Sequence, residues 1–259
     1  MGATTLTGYI QIEVTTACNF DCFYCVGRNM PQRHMQEDVF DSILASLPEG
    51  RCTVSLQGEG EPTLHPGFIA MAKQVAEAGK APYTITNCSR LDPVTIAELF
   101  PQIGVSLDAV DSEETQRIGR YDIKLVLSNL DLLLARMGAE RIIVHTVDYG
   151  QSMGQLRQFL RKRGLHRHVV QALQKKDDYR QRYLGHPTLS CDEPIYHFRC
   201  RYLQQPLMRY FDVTGREMPC RYIKDASQFV TAMHTRNMLL QRQLPDCCIG
   251  CREIMMSAQ

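Results

Sequence analysis

The stretch Cys18-Asn19-Phe20-Asp21-Cys22-Phe23-Tyr24-Cys25 puts three cysteines at C-x3-C-x2-C spacing, directly after an apolar, β-branched run from Tyr9 to Thr16. Three thiolates on one such loop can hold three corners of a cuboidal iron–sulfur cluster and leave the fourth iron without a protein ligand. An open iron is a place for a substrate to bind. The spacing differs from tetrahedral zinc patterns, which pair two C-x2-C units or a C-x2-C with an H-x3-H. Half of a zinc knuckle, or cysteines with no shared role, are the alternatives that these residues leave open.

Outward from this loop the chain alternates strand-like and helix-like segments. Residues 9–15 read as strand one, and Gln36 to Leu47, with Val39, Phe40, Ile43, Leu44 and Leu47 at helical spacing, as the first helix. Cys52 to Leu56 is a second strand, and Pro66 opens a helix that Gly79 ends. Tyr83 to Thr86 is strand three, followed by a helix over Pro93–Phe100; Ile103 to Leu107 is strand four, followed by one long helical stretch ending near Gly138. Arg141 to Val147 is strand five, Gln155 to Lys162 the next helix, and His168 to Leu173 a sixth strand. Six βα units in a row imply an α/β fold with a parallel sheet and helices outside. Such a sheet carries its chemistry in the loops at the strands' carboxyl ends.

The right residue types follow the strands. After strand two comes Gln57-Gly-Glu-Gly-Glu-Pro-Thr63, where Gly58 and Gly60 allow close backbone approach to a ligand and Glu61 can accept from an ammonium. After strand three stands Thr86-Asn87-Cys88-Ser89, after strand four Ser106-Leu107-Asp108, and at the tip of strand five His145 to Tyr149. A histidine within an apolar strand also serves as a satisfied core residue. The basic run from Arg157 to His168 falls on an outer helix and reads as a solvated face rather than a nucleic-acid surface.

The 259 residues carry 29 basic and 28 acidic side chains, a net charge of +1, which gives no general electrostatic reason for a nucleic-acid or membrane partner. No apolar run approaches the roughly 18 residues of a membrane span. The first residues, Met-Gly-Ala-Thr-Thr-Leu-Thr, lack the basic and apolar regions of a signal peptide, so the eleven cysteines read as thiols kept reduced for metal. A cytoplasmic, oxygen-sensitive protein is expected.

The polar stretch 174–190 reads as a link between residues 1–173 and a cysteine-rich tail, 191–259, and its Asp177, Asp178, Tyr179 and Arg180 are candidate substrate contacts together with His145 and Tyr149. Within the tail, Met208 to Met218 reads as a hairpin around a turn at Asp212–Gly215. Cys200, Cys220, Cys248 and Cys251 surround it, a set able to place four thiolates on one cluster or one zinc ion, with Cys191 or Cys247 as substitutes.

With Tyr24 just before its last cysteine, the N-terminal motif resembles the signature of the radical S-adenosylmethionine (SAM) superfamily. The resemblance implies a partial (β/α)6 TIM barrel, a [4Fe–4S] cluster on Cys18, Cys22 and Cys25, and SAM chelated to the fourth iron. It also assigns cofactor contacts to Tyr24, Gly58, Gly60, Glu61, Pro62, Asn87, Ser106 and Asp108, with Arg117 or Arg120 pairing with the SAM carboxylate. Glu59 and Cys88 stand where many members have glycine. The tail resembles the SPASM and twitch domains, in the shorter one-cluster twitch form, which implies a second, auxiliary [4Fe–4S] cluster on Cys200, Cys220, Cys248 and Cys251. In overall plan the chain is similar to the aminocyclitol dehydrogenases of butirosin biosynthesis, and more distantly to molybdopterin-precursor cyclases and peptide-modifying SPASM enzymes.

The implied chemistry is reductive cleavage of SAM to a 5′-deoxyadenosyl radical, fed by a flavodoxin- or ferredoxin-type donor, and a two-electron oxidation of the substrate. A sugar or cyclitol alcohol is the first substrate class and a ribosomally made peptide the second. A non-catalytic iron–sulfur or zinc module is the reading from another class, and it has no need of the glycine-rich and Ser-Leu-Asp motifs.

Overall fold

A computed structural model describes residues 8–25, 27, 30–172, 196–200, 208–218 and 254–258, with single positions between 220 and 248. The first strand, β1 (Tyr9–Ile12), is followed by α1 (Glu37–Ala45), β2 (Thr53–Leu56), α2 (Phe68–Glu77), β3 (Ala81–Tyr83), β4 (Ile85–Thr86) and α3 (Pro93–Leu99). Then come β5 (Ile103–Ser106), α4 (Ser112–Arg117), α5 (Ile123–Met137), β6 (Ile142–Asp148), α6 (Gly154–Lys162) and β7 (His168–Ala172). Successive strands pair in parallel: Tyr9 lies opposite Thr53, Thr53 opposite Ala81, Ile85 opposite Gly104, Ile103 opposite Ile142, and Val144 opposite His168.

The third strand expected from the sequence is split into β3 and β4 by Thr84. Its hydroxyl donates to the Leu56 carbonyl (2.7 Å) and its own carbonyl accepts from Gly104 N–H (2.8 Å), so one bent strand carries the sheet from β2 across to β5. The fold is α/β, a parallel arc with helices outside; among the described residues the strands do not close into a ring. The outer face of the arc is apolar. Ile12, Val54, Leu56, Val105 and Val144 are fully buried there against Phe40, Val75, Leu130 and Leu133 of the helices. Each such side chain contributes about 1.5–3 kcal/mol when removed from water. Helix α5 presents Ile123, Val126, Leu130, Leu133 and Met137 to this core at helical spacing while Leu125 and Leu132 stay exposed.

The helix after strand four departs from the sequence reading. The stretch expected as one helix after strand four is two, α4 and α5, separated at Gly119, whose φ of +85° continues no helix. The expected hairpin is present as β9 (Met208–Phe211) and β10 (Glu217–Met218), after β8 (Tyr196–Cys200). Its turn is built by Asp212, whose carboxylate accepts from Thr214 N–H (2.9 Å), Thr214 Oγ1 (2.7 Å) and Arg216 N–H (3.0 Å). Strand β9 lies parallel to β1, Tyr9 opposite Met208, with Glu13 N–H on the Phe211 carbonyl (2.9 Å), so part of the tail extends the barrel's own sheet. Strand β11 (Ile254–Ala258) pairs antiparallel with β8, Ile254 opposite Cys200. Among the described residues no helix is long and apolar enough to cross a membrane.

Candidate functional site

The cysteine loop leaves the carboxyl end of β1 and is clamped on three sides. Asp21 N–H donates to the Gly119 carbonyl (2.8 Å) and Phe23 N–H to that of Ile118 (3.2 Å), so the break between α4 and α5 is where the loop docks. Glu61 N–H donates to the Ala17 carbonyl (2.8 Å), and a Cβ on Gly60 would come within 2.5 Å of the Thr15 carbonyl and 2.6 Å of that of Ala17. Asn19 accepts from the Asn87 amide (3.0 Å) and donates to Ser89 Oγ (2.9 Å) in the turn after β4. A Cβ on Gly119 would run into the Asp21 carbonyl, in a conformation that L side chains avoid. Gly119→Ala is therefore expected to cost more than about 1 kcal/mol of stability and to lower the iron retained per chain. An unchanged melting temperature and iron content would show that the docking contact does not hold the loop.

Cys22 is buried, and Cys18 and Cys25 are half-buried. Phe20 N–H lies 3.5 Å from the Cys18 sulfur, Cys25 N–H donates to the Cys22 carbonyl (2.9 Å), and the Cys25 thiol is 3.7 Å from Glu59. Burial pushes the Cys18 thiol up to about 11, with Glu61 and Cys22 adding to the rise while the Phe20 N–H and Arg120 oppose it. A bound cation reverses that balance, because a coordinating thiol loses its proton outright. Among the described residues no three His, Cys, Asp or Glu side chains converge as the ligands of a single ion would. A cuboidal cluster asks for something else, since each thiolate takes its own iron. An all-sulfur donor set on one clamped loop fits that group, with Cys18, Cys22 and Cys25 as its holders.

Glu61 is fully buried and its two oxygens are used within the protein. They accept from Thr63 N–H (3.2 Å) and Oγ1 (2.7 Å), Thr86 Oγ1 (2.6 Å) and Asn87 N–H (2.6 Å). Burial raises its pKa and these donors oppose the rise. Its side chain thus braces the loop after β2 against the turn after β4, while Gly58, Gly60 and Pro62 shape the backbone beside the cysteines. Sequence reasoning passed over Glu13, a buried acid that accepts from Glu59 N–H (2.8 Å) and against which Gly58 leaves room for no Cβ. Its signal was an acid at an inward position of the first strand's extension.

The two arginines that the sequence left open have different surroundings. Arg117 is exposed and forks onto Glu114 (2.7 and 2.8 Å). Hydrogen bonds from Arg117 and then Tyr149 hold the Glu114 carboxyl down at about 2. Arg120 is buried: it pairs with Asp108 (2.9 Å) and donates to the Ser106 carbonyl (2.6 Å), Ser106 Oγ (2.8 Å) and the Tyr24 hydroxyl (3.0 Å). Burial works against its charge, yet Asp108, Tyr24 and Cys22 hold its pKa well above the ordinary value. Tyr24 also donates to Asp108, whose other oxygen accepts from Val147 N–H (2.7 Å). Tyr24 stacks on Tyr149 (5.9 Å, 21°), and Phe23 stands edge-on to both (5.2 and 5.5 Å), giving the loop an aromatic wall.

His145 lies half-buried on β6, its Nε2 3.0 Å from the Tyr83 hydroxyl. Cys220 is half-buried and Cys248 buried in the tail, and Cys200 ends β8. Asp177, Asp178, Tyr179, Arg180, Cys191, Cys247 and Cys251 lie outside the described residues.

Comparison with known proteins agrees with this geometry. A GTP 3′,8-cyclase of Chlorobaculum tepidum is 33% identical over 136 residues, covering 49% of this chain and 41% of that protein. The chain thus spans less than half the length of this curated relative. Two solved structures share the fold: anSMEcpe with bound AdoMet and a Cp18Cys peptide (TM-score 0.62, 14% identity, 85% of this chain and 75% of the other), and BtrN in complex with AdoMet and 2-DOIA (TM-score 0.53, 15% identity, 96% and 94%). The sequence profile of the Radical SAM superfamily matches residues 12–162, more than half of the chain and the whole of the clamped cysteine loop, and the protein belongs to that superfamily.

Proposed function

We propose that this chain is an oxidoreductase that cleaves SAM and oxidises a small molecule, an alcohol of the sugar or cyclitol kind, held in the barrel. The observation that supports it is the clamped three-cysteine loop at the carboxyl ends of the strands, faced by the buried Tyr24–Asp108–Arg120 set. When bound, the cluster on Cys18, Cys22 and Cys25, SAM, and a second cluster on Cys200, Cys220, Cys248 and Cys251 supply a 5′-deoxyadenosyl radical and an acceptor for the electron the substrate gives up. A flavodoxin- or ferredoxin-type donor provides the starting electron.

The chain's own residues do the rest. Arg120 and Asp108 fix the loop's position, and Phe23, Tyr24 and Tyr149 exclude water from it. His145, whose Nε2 lies 3.0 Å from the Tyr83 hydroxyl, would take the alcohol proton. A second reading is supported by the cyclase relative: closure of a ring on a purine nucleotide.

The test is anaerobic reconstitution with SAM and dithionite and detection of 5′-deoxyadenosine, followed by deuterium transfer from labelled alcohols and nucleotides. Cys220→Ala is expected to lower product formed per 5′-deoxyadenosine by more than about tenfold, the scale of a lost metal-site interaction. A variant with the wild-type ratio would remove the tail from the oxidation. Deuterium transfer from GTP and not from any alcohol would establish the second reading.

A further inference from the structure

Strand register builds a row of polar side chains on the inner face of the arc. Tyr210 of β9 lies opposite Gln11 of β1, Gln11 opposite Ser55 of β2, and Ser55 opposite Tyr83 of β3. Alternation puts them on the face away from Ile10, Ile12, Val54 and Leu56, which pack under the helices. The row continues past the bend to His145 of β6, in reach of the Tyr83 hydroxyl because Gly104 lies between them. A Cβ on Gly104 would come within 2.6 Å of the Tyr83 hydroxyl and 3.1 Å of the His145 ring.

Two neighbouring atoms in this row are unanswered. Gln11 is 6% and Ser55 0% exposed, and neither Gln11 Oε1 nor Ser55 Oγ has a hydrogen-bond partner among the described residues. The Gln11 amide is already committed to the Gln57 carbonyl (3.3 Å), which fixes its oxygen as the open end. Buried polar groups are nearly always paired, and an orphan bears the full cost of its desolvation. A pair of orphans in register on adjacent strands is open to hydrogen-bonding groups from outside the chain, and a ligand that brings hydroxyls would answer both.

The chemistry of the row selects that ligand. Gln11 Oε1 only accepts, so it needs an O–H or N–H; Ser55, Tyr83 and His145 both give and take. Adjacent strands are about 4.8 Å apart, a spacing met by hydroxyls on non-adjacent carbons of a six-membered ring. No lysine or arginine occupies an inward position of β1, β2, β3, β5 or β6, and the Arg120 guanidinium on Ser106, opposite His145, is already committed to Asp108 (2.9 Å), so among the described residues a phosphate meets no uncommitted countercharge there.

We propose that Gln11, Ser55, Tyr83 and His145 form the floor on which the substrate is read, and that this substrate is a neutral, unphosphorylated polyol. The proposal rests on the function proposed above and names the residues that carry its specificity. It is tested on the full chain, reconstituted anaerobically, with myo-inositol, D-glucose, their monophosphates and GTP as probes. The readouts are melting temperature and probe-dependent release of 5′-deoxyadenosine.

A neutral polyol is expected to raise the melting temperature and the release rate, and the phosphates and GTP are expected to do neither. Ser55→Ala and Gln11→Met should raise KM for the polyol at least tenfold with kcat changed less than threefold. Without ligand, Ser55→Ala should melt at or above the wild type, since it removes an orphan hydroxyl. A Ser55→Ala chain that melts several degrees lower shows the hydroxyl to be satisfied inside the fold and overturns the proposal. So does stronger stabilisation by a phosphorylated probe, or release that no polyol or variant alters. A wild-type chain that releases no 5′-deoxyadenosine at all, while still stabilised by polyol, removes the proposed function and leaves the binding row standing.

Discussion

Cys22→Ala is expected to abolish SAM cleavage and to strip iron from the N-terminal loop while leaving the barrel folded. Cys22 is buried where the loop turns, its carbonyl holding Cys25 N–H, and the Arg120 guanidinium stands beside it. Alanine fills the same backbone position without strain, so what is lost is one of three sulfur ligands rather than the turn. With two thiolates left, a cuboidal cluster has two uncovered irons and no reason to present a single open corner. The control is Cys52→Ala: that thiol is buried at the start of β2, away from the loop, and iron content and 5′-deoxyadenosine formation should match the wild type. Equal cleavage by the Cys22→Ala chain would mean that another donor completes the site.

The second large effect is structural. Arg120→Met should destabilise the chain by about 3–5 kcal/mol, because it leaves the Asp108 carboxylate buried without its countercharge. At about 2–4 °C per kcal/mol for a domain of this size, the melting temperature should fall by roughly 10 °C. Adding Asp108→Leu should recover part of that loss, since removing both members of a buried pair is far milder than removing one. The corresponding Arg117→Met change should move the melting temperature by no more than about 2 °C, as its pair with Glu114 is exposed. If the two arginine variants melt alike, the buried pair is not what holds the loop to β5 and β6.

The contrast between these arginines shows where sequence reasoning stops. They are three residues apart and offer the same guanidinium, so residue type alone left both open. The choice is made by the end of α4: Arg117 lies in its last turn facing Glu114, and Arg120 comes after Gly119 has turned the chain into the barrel. The cysteine trio and the alternation of strands and helices from β1 to β7 were legible because spacing and hydrophobic period are local properties. The break at Gly119 was not, because its cause is the Asp21 backbone nearly a hundred residues earlier. The parallel pairing of β9 with β1 joins Tyr9 to Met208, and no local pattern announces which edge a strand will meet. Glu61 was read from the sequence as an acceptor for an ammonium, and in the fold its carboxylate accepts from Thr63, Thr86 and Asn87 and braces two loops. The polar row needs register across four strands, which alternation along any one of them does not contain.

The most direct test of the central claim is the low-temperature EPR spectrum of the anaerobically purified, dithionite-reduced protein, recorded before and after SAM is added. The expected result is a reduced [4Fe–4S] signal that changes when SAM binds and that is missing from the Cys22→Ala chain. Zinc as the only metal on the loop, or a cluster signal indifferent to SAM, would contradict the claim that Cys18, Cys22 and Cys25 hold a cluster with one corner open to the cofactor.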